Sequence, residues 1–115
     1  PLALPAKESG VGAVAVRIER LKHLSREQPD LPATAELSET EVRALILLKR
    51  RNLRRREMLP DGPPTIGHAT RWIAELGGYT GTSSGGPPGS ITIGRGLDIL
   101  RVAALTLAAI DQERE

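Results

Sequence analysis

The sequence predicts an all-α fold, a small helical bundle or extended helical hairpins, with four helices and a glycine and proline hinge between the last two. Three observations carry that expectation. Apolar residues recur at three- and four-residue spacing in four separate stretches, which places them on one face of a helix. Clusters of proline and glycine separate the stretches and cannot continue a helix. Apolar and polar residues alternate only over Ser90-Ile91-Thr92-Ile93, too short a run to compete as a strand.

The first helix is expected from about Val11 to Glu27, with Val11, Val14, Ile18 and Leu21 on one face and Pro29 and Pro32 marking its end. The second opens at Ser38-Glu39-Thr40-Glu41, a capping box in which the serine hydroxyl accepts from a free amide of the first turn and Glu41 reaches back. Val42, Leu45, Ile46 and Leu53 form its apolar face, and Pro60-Asp61-Gly62-Pro63-Pro64 requires it to stop by Leu59. Thr65 caps a short third helix with Ile66, Ala69, Ile73 and Leu76 inward, and Gly77 supplies a left-handed turn at its end. The fourth starts near Thr92 or Arg95, capped by Ser90 or Thr92, and reaches about Gln112. Between Leu97 and Ile110 it is apolar on nearly every side, with Asp98, Arg101 and Thr106 as the exceptions, a pattern that calls for cover on more than one side.

With 115 residues there is room for one domain, and a chain of this size buries roughly two-thirds of its unfolded surface. The expected organisation is a flexible N-terminal remnant over residues 1–10 and one helical domain over 11–115. Phenylalanine is absent and Trp72 and Tyr79 are the only aromatic rings, so the core is aliphatic. These two rings are anchors for a core or an interface. The absence of cysteine excludes disulfides and thiolate metal sites and fits a reducing cytoplasm. No apolar run reaches the roughly 18 to 20 residues that a membrane span needs. Pro1 in place of an initiator methionine suggests processing or a longer parent chain.

Positive charge is local. Lys49, Arg50, Arg51, Arg54, Arg55 and Arg56 place six of the sixteen basic residues within eight positions, and the remaining ten face fourteen acids. These six are candidates for DNA contact through phosphate charge and counterion release, with a salt slope near about −5 for six contacts; a solvated basic segment is the alternative. On a continuous helix Arg50, Arg51, Arg54 and Arg55 share a face while Lys49 and Arg56 fall on the apolar side. The helix is therefore expected to fray before Arg56 and leave a flexible basic arm. No aromatic is interleaved, so base stacking is not indicated.

Other chemistry finds little support. Gly81 and Gly86 have the glycine spacing of a nucleotide loop, but Pro87 stands where its lysine would be. His23 and His68 are isolated, which argues against a metal site. No serine has a credible base beside it. Glu39 and Glu41 point to different sides and act as first-turn dipole partners. Arg71 and Arg95 are candidates for interchain salt bridges. The expectation is a chain with no catalytic residues, no metal, no cofactor, no small-molecule substrate and no membrane partner.

From Leu76 to Leu100 the chain reads LGGYTGTSSGGPPGSITIGRGLDIL. This resembles the C-terminal region of bacterial cut-and-paste transposases of the Tn-five and IS-four type, where Leu-Gly-Gly-aromatic is followed by a Gly-Arg-Lys-Ser-Asp-Gly loop, Pro-Gly and Thr-Leu-Trp-Arg-Gly. Leu76, Gly77, Gly78, Tyr79, Gly81, Ser84, Gly86, Pro88, Gly89, Thr92, Arg95 and Gly96 fall on that pattern. Upstream, Val14-Ala15-Val16-Arg17-Ile18, Pro29-Asp30-Leu31-Pro32 and Leu37-Ser38 to Glu41 stand in the family's order, extending the match over about residues 11 to 110.

The resemblance implies a dimerisation role, in which this tail pairs transposases so that two transposon ends come together. The family's chemistry belongs to carboxylates that hold divalent metal such as magnesium, on a catalytic core not recognisable in this chain. The implied partner is a second copy or a full-length transposase, with DNA contacted by the basic segment. Candidate interface residues are Trp72, Tyr79, Arg95, Leu97, Leu100 and Leu107. The alternatives are a stand-alone inhibitor acting through mixed dimers, an inert remnant, an enzyme on the strength of the family resemblance alone, or a nonspecific DNA-binding module. Three departures stand out: Thr82 and Ser83 replace the loop's Arg-Lys pair, Gly85 its aspartate, and Gly94 the tryptophan, a residue type that dominates interfaces.

Overall fold

Apolar periodicity and local caps produce four α-helices among the described residues, which in this computed structural model are 10–81 and 86–114. The N-terminal remnant, Gly10 apart, lies outside them, as do Thr82, Ser83, Ser84 and Gly85 of the hinge. Helix α1 spans Gly10–Glu27, α2 Glu39–Arg51, α3 Ile66–Leu76 and α4 Ser90–Arg114. A short 3-10 turn, Ala33–Ala35, precedes α2. The segment after α1 lies antiparallel to the one before α3. Pro32 pairs with Thr65, Ala33 N–H donates to the Pro64 carbonyl at 3.0 Å, and Ile66 N–H donates to that of Leu31 at 2.7 Å.

Two helices start where the sequence places caps. Ser38 Oγ accepts from Glu41 N–H while Glu41 Oε1 accepts from Ser38 N–H. At α3, Thr65 Oγ1 accepts from His68 N–H, and the His68 ring nitrogen Nδ1 accepts from Thr65 N–H at 3.1 Å. Helix α2 stops before Leu59 and before Arg56, as expected, but three details differ. Helix α2 ends at Arg51 with Asn52 as its C-cap, so Leu53 is exposed outside the helix instead of lying on its apolar face. Helix α4 begins at Ser90, with the Gly89 carbonyl accepting from Ile93 N–H. Ser90 is no cap, because its hydroxyl donates to Glu19 and accepts from Lys22 on α1. The left-handed residue after α3 is Gly78 (φ 104°); Gly77 has φ −85° and serves another purpose.

That purpose is close approach. A Cβ on Gly77 would lie 2.0 Å from the Thr92 carbonyl oxygen of α4, and a Cβ on Gly96 would lie 1.7 Å from the Ile73 carbonyl oxygen of α3. The two backbones touch in both directions, which only glycine permits. Around this contact Leu21, Leu45, Ile66, Ile73, Ile93, Leu97 and Leu100 are fully buried, with Ala44, Ala69, Ala74 and Ala104 filling between them. Helix α4 packs against each of the other three. Ion pairs tie the ends together: Arg17 to Glu41, Arg20 to Glu36, and Arg43 to Asp111.

Candidate dimerisation interface

One turn of helix takes 3.6 residues, so Ile93, Leu97, Leu100 and Ala104 form the inner stripe of α4 and its other side must meet solvent. That other side is also largely apolar, interrupted by exposed Asp98, Arg101 and Thr106. Val102 is 65% and Leu105 71% exposed, and Ala108 and Ala109 continue the arc. Toward α2 it runs through Ile99 and Ile110 to Leu47, all exposed. There Ala44, Leu47, Leu48, Ala103, Leu107 and Ile110 line a shallow groove of about 280 Å³, with Arg51 and Thr106 also on its wall. A helix apolar all round is ordinarily buried all round. In this chain one side of it has nothing packed against it among the described residues.

Several residues expected at an interface lie elsewhere. Trp72, Leu97 and Leu100 are core: Trp72 is 6% exposed, Leu97 1% and Leu100 fully buried. Tyr79 is half-buried, and its hydroxyl donates to the Gly86 carbonyl at 3.0 Å, bracing the hinge. Leu107 is half-buried in the groove and Arg95 is exposed at the start of α4. Arg71 pairs with Glu75 on its own helix. A Cβ on Gly94 would stand 3.2 Å from Ile18 Cδ1, so this position faces α1 and not the outer arc. The exposed Ile99, Val102 and Leu105 recur every three residues on the side opposite Leu97, Leu100 and Ala104, with Ile110 five positions further on, a pattern visible in the sequence but not among the candidates it offered.

The basic run divides as well. Lys49 is only 4% exposed, its ammonium held by Glu75 at 2.8 Å and Glu57 at 2.9 Å, and it leaves the set of accessible cations. Arg50, Arg51, Arg54, Arg55 and Arg56 are exposed. The segment after α2 is a hydrogen-bonded turn and not a free arm: Glu57 Oε1 accepts from Arg54 N–H at 2.9 Å, and Glu57 N–H donates to the Arg54 carbonyl. The Arg54 amide, then the Lys49 ammonium, hold the Glu57 carboxyl below the usual carboxylate range. Arg56 takes a left-handed backbone, φ 69°.

His68 caps α3 and stacks on Trp72 with ring centroids 5.7 Å apart, while His23 is exposed on α1. Among the described residues no three His, Asp or Glu side chains gather as a metal site, and no helix is long and apolar enough to cross a membrane.

The family model for the Transposase Tn5 dimerisation domain matches residues 13–109, which contain nearly all of the four helices. Comparison with curated proteins and with solved structures found no match. A match over most of the chain shows the family: the chain belongs to the family of Tn5 transposase dimerisation domains.

Proposed function

We propose that this domain pairs with a second copy of itself through the outer arc of α4, Val102 and Leu105 at the centre and Ile99, Ile110 and Leu47 at the edge. The observation that carries the reading is the exposure of those side chains on a helix whose other side is already core. A two-fold pairing suits the surface, because an isologous interface needs one self-complementary patch and an apolar helical arc is complementary to itself. The partner is a second copy or the same domain of a full-length transposase. Pairing would hold two transposases, and the DNA end each carries, in a fixed relation. The role assigned to the chain is assembly, without chemistry of its own.

Light scattering on the wild-type chain and on the combined Val102→Glu, Leu105→Glu variant tests this. Both positions are exposed, so the variant should keep its helical content. Each side chain is expected to act as a hot spot of about 2 kcal/mol, so dimer affinity should fall by at least about a hundredfold. A variant that stays dimeric at the wild-type concentration range would sink the proposed face. Co-elution with full-length transposase, lost in the same variant, would identify mixed pairing.

A further inference from the structure

We propose that the arginine turn from Arg50 to Arg56 is a binding site for the phosphate backbone of duplex DNA, shaped in advance by the buried Lys49. Among the described residues no carboxylate lies within ion-pair distance of Arg50, Arg51, Arg55 or Arg56, and Arg54 only approaches Glu75 at 4.0 Å. The two nearest acids, Glu57 and Glu75, are instead engaged by Lys49. One cation is thus turned inward to engage both local carboxylates, Arg71 adds to the pairing of Glu75, and five guanidinium groups are left exposed to solvent.

Helix-dipole stabilisation accounts for Arg50 and Arg51 in the last turn of α2. It does not account for Arg54, Arg55 and Arg56, which lie beyond the helix. Five forked cations in seven positions fit a ligand with repeated phosphates better than one with a single phosphate, since each guanidinium can hold one phosphate in two hydrogen bonds. The lack of an aromatic ring among them favours a duplex over a stacked single strand. Glu57 fixes the turn by accepting from Arg54 N–H, and the left-handed Arg56 swings the chain back so that Glu57 reaches Lys49. An ordered turn loses less freedom on binding than a flexible arm.

This inference does not depend on pairing, and a monomeric variant can be used to test it. Anisotropy of a labelled non-specific DNA duplex would be followed with the full chain between about 50 and 200 mM salt. Five phosphate contacts predict a slope of about −4.5, and the combined Arg55→Ala, Arg56→Gly variant should flatten it by about 1.8. Glycine at position 56 keeps the left-handed backbone accessible, so that variant should fold. Glu57→Ala separates a shaped site from plain charge. Removing an acid would tighten binding to a mere basic patch, whereas here the turn is released and binding should weaken severalfold at unchanged helical content.

An unaltered slope in the arginine variant, or tighter binding by Glu57→Ala, would overturn the proposal. So would retention on phosphatidylserine vesicles at a salt concentration that releases the duplex, since exposed Met58 beside the turn would then mark a lipid surface.

Discussion

Lys49 and Arg50 are neighbours in the chain with opposite environments. Lys49 falls on the apolar side of α2, and that register was readable in the sequence. Its two carboxylate partners were not, because Glu57 and Glu75 arrive from a turn and from α3. Lys49→Met should destabilise the fold by about 2 kcal/mol in urea unfolding, through acids left partly buried without their cation. Glycines show the same division. Leu-Gly-Gly was legible as the end of a helix, yet a one-dimensional pattern cannot show that a carbonyl of α4 lies against Gly77. Gly96→Ala must push α3 and α4 apart. The expected loss is about 3 kcal/mol or more, seen as a melting temperature at least about 10 °C lower. Gly62→Ala, with open space around its Cβ, should change stability by less than about 0.5 kcal/mol.

At the scale of elements, the caps decided which boundaries could be read. Ser38 and Thr65 satisfy their own helices, so the starts of α2 and α3 lay within a few residues of sequence. Ser90 is occupied by Glu19 and Lys22 of α1 and caps nothing, so α4 has no local signal of that kind and starts two residues before Thr92. Ser38→Ala should cost about 1 kcal/mol in unfolding free energy. Glu41 adds a pH dependence to the same box. Burial alone would raise its carboxyl, but Arg17 and the Ser38 amide outweigh burial and hold it below its ordinary value. A carboxyl depressed on folding contributes stability that is full above its unfolded value, near about 4.3, and is lost as pH falls through the folded value. Unfolding midpoints followed downward from pH 6 should therefore drop less steeply in Glu41→Gln than in the wild type. An identical pH profile in the two proteins would refute this assignment.

For the whole molecule, the sequence announced that α4 needs cover on more than one side without saying which side the core takes. Both stripes have helical spacing, so Leu97 with Leu100 and Val102 with Leu105 are equivalent patterns in one dimension. Packing breaks the tie through Gly96, which admits α3 on one side only. If pairing covers the outer arc, the melting temperature should rise with protein concentration, because association draws on the folded state alone. The Val102→Glu, Leu105→Glu variant should melt independently of concentration.

The mutual backbone contact of Gly77 and Gly96 has a mechanical consequence. Helix α4 is keyed to α3 at the level of the main chain, so it cannot roll about its axis to turn its oily outer side inward when no partner is present. A solitary domain has no private posture in which that side is dry. Relief has to come from outside these four helices, and the key that denies self-burial also presents the same stripe, in the same orientation, to every newcomer.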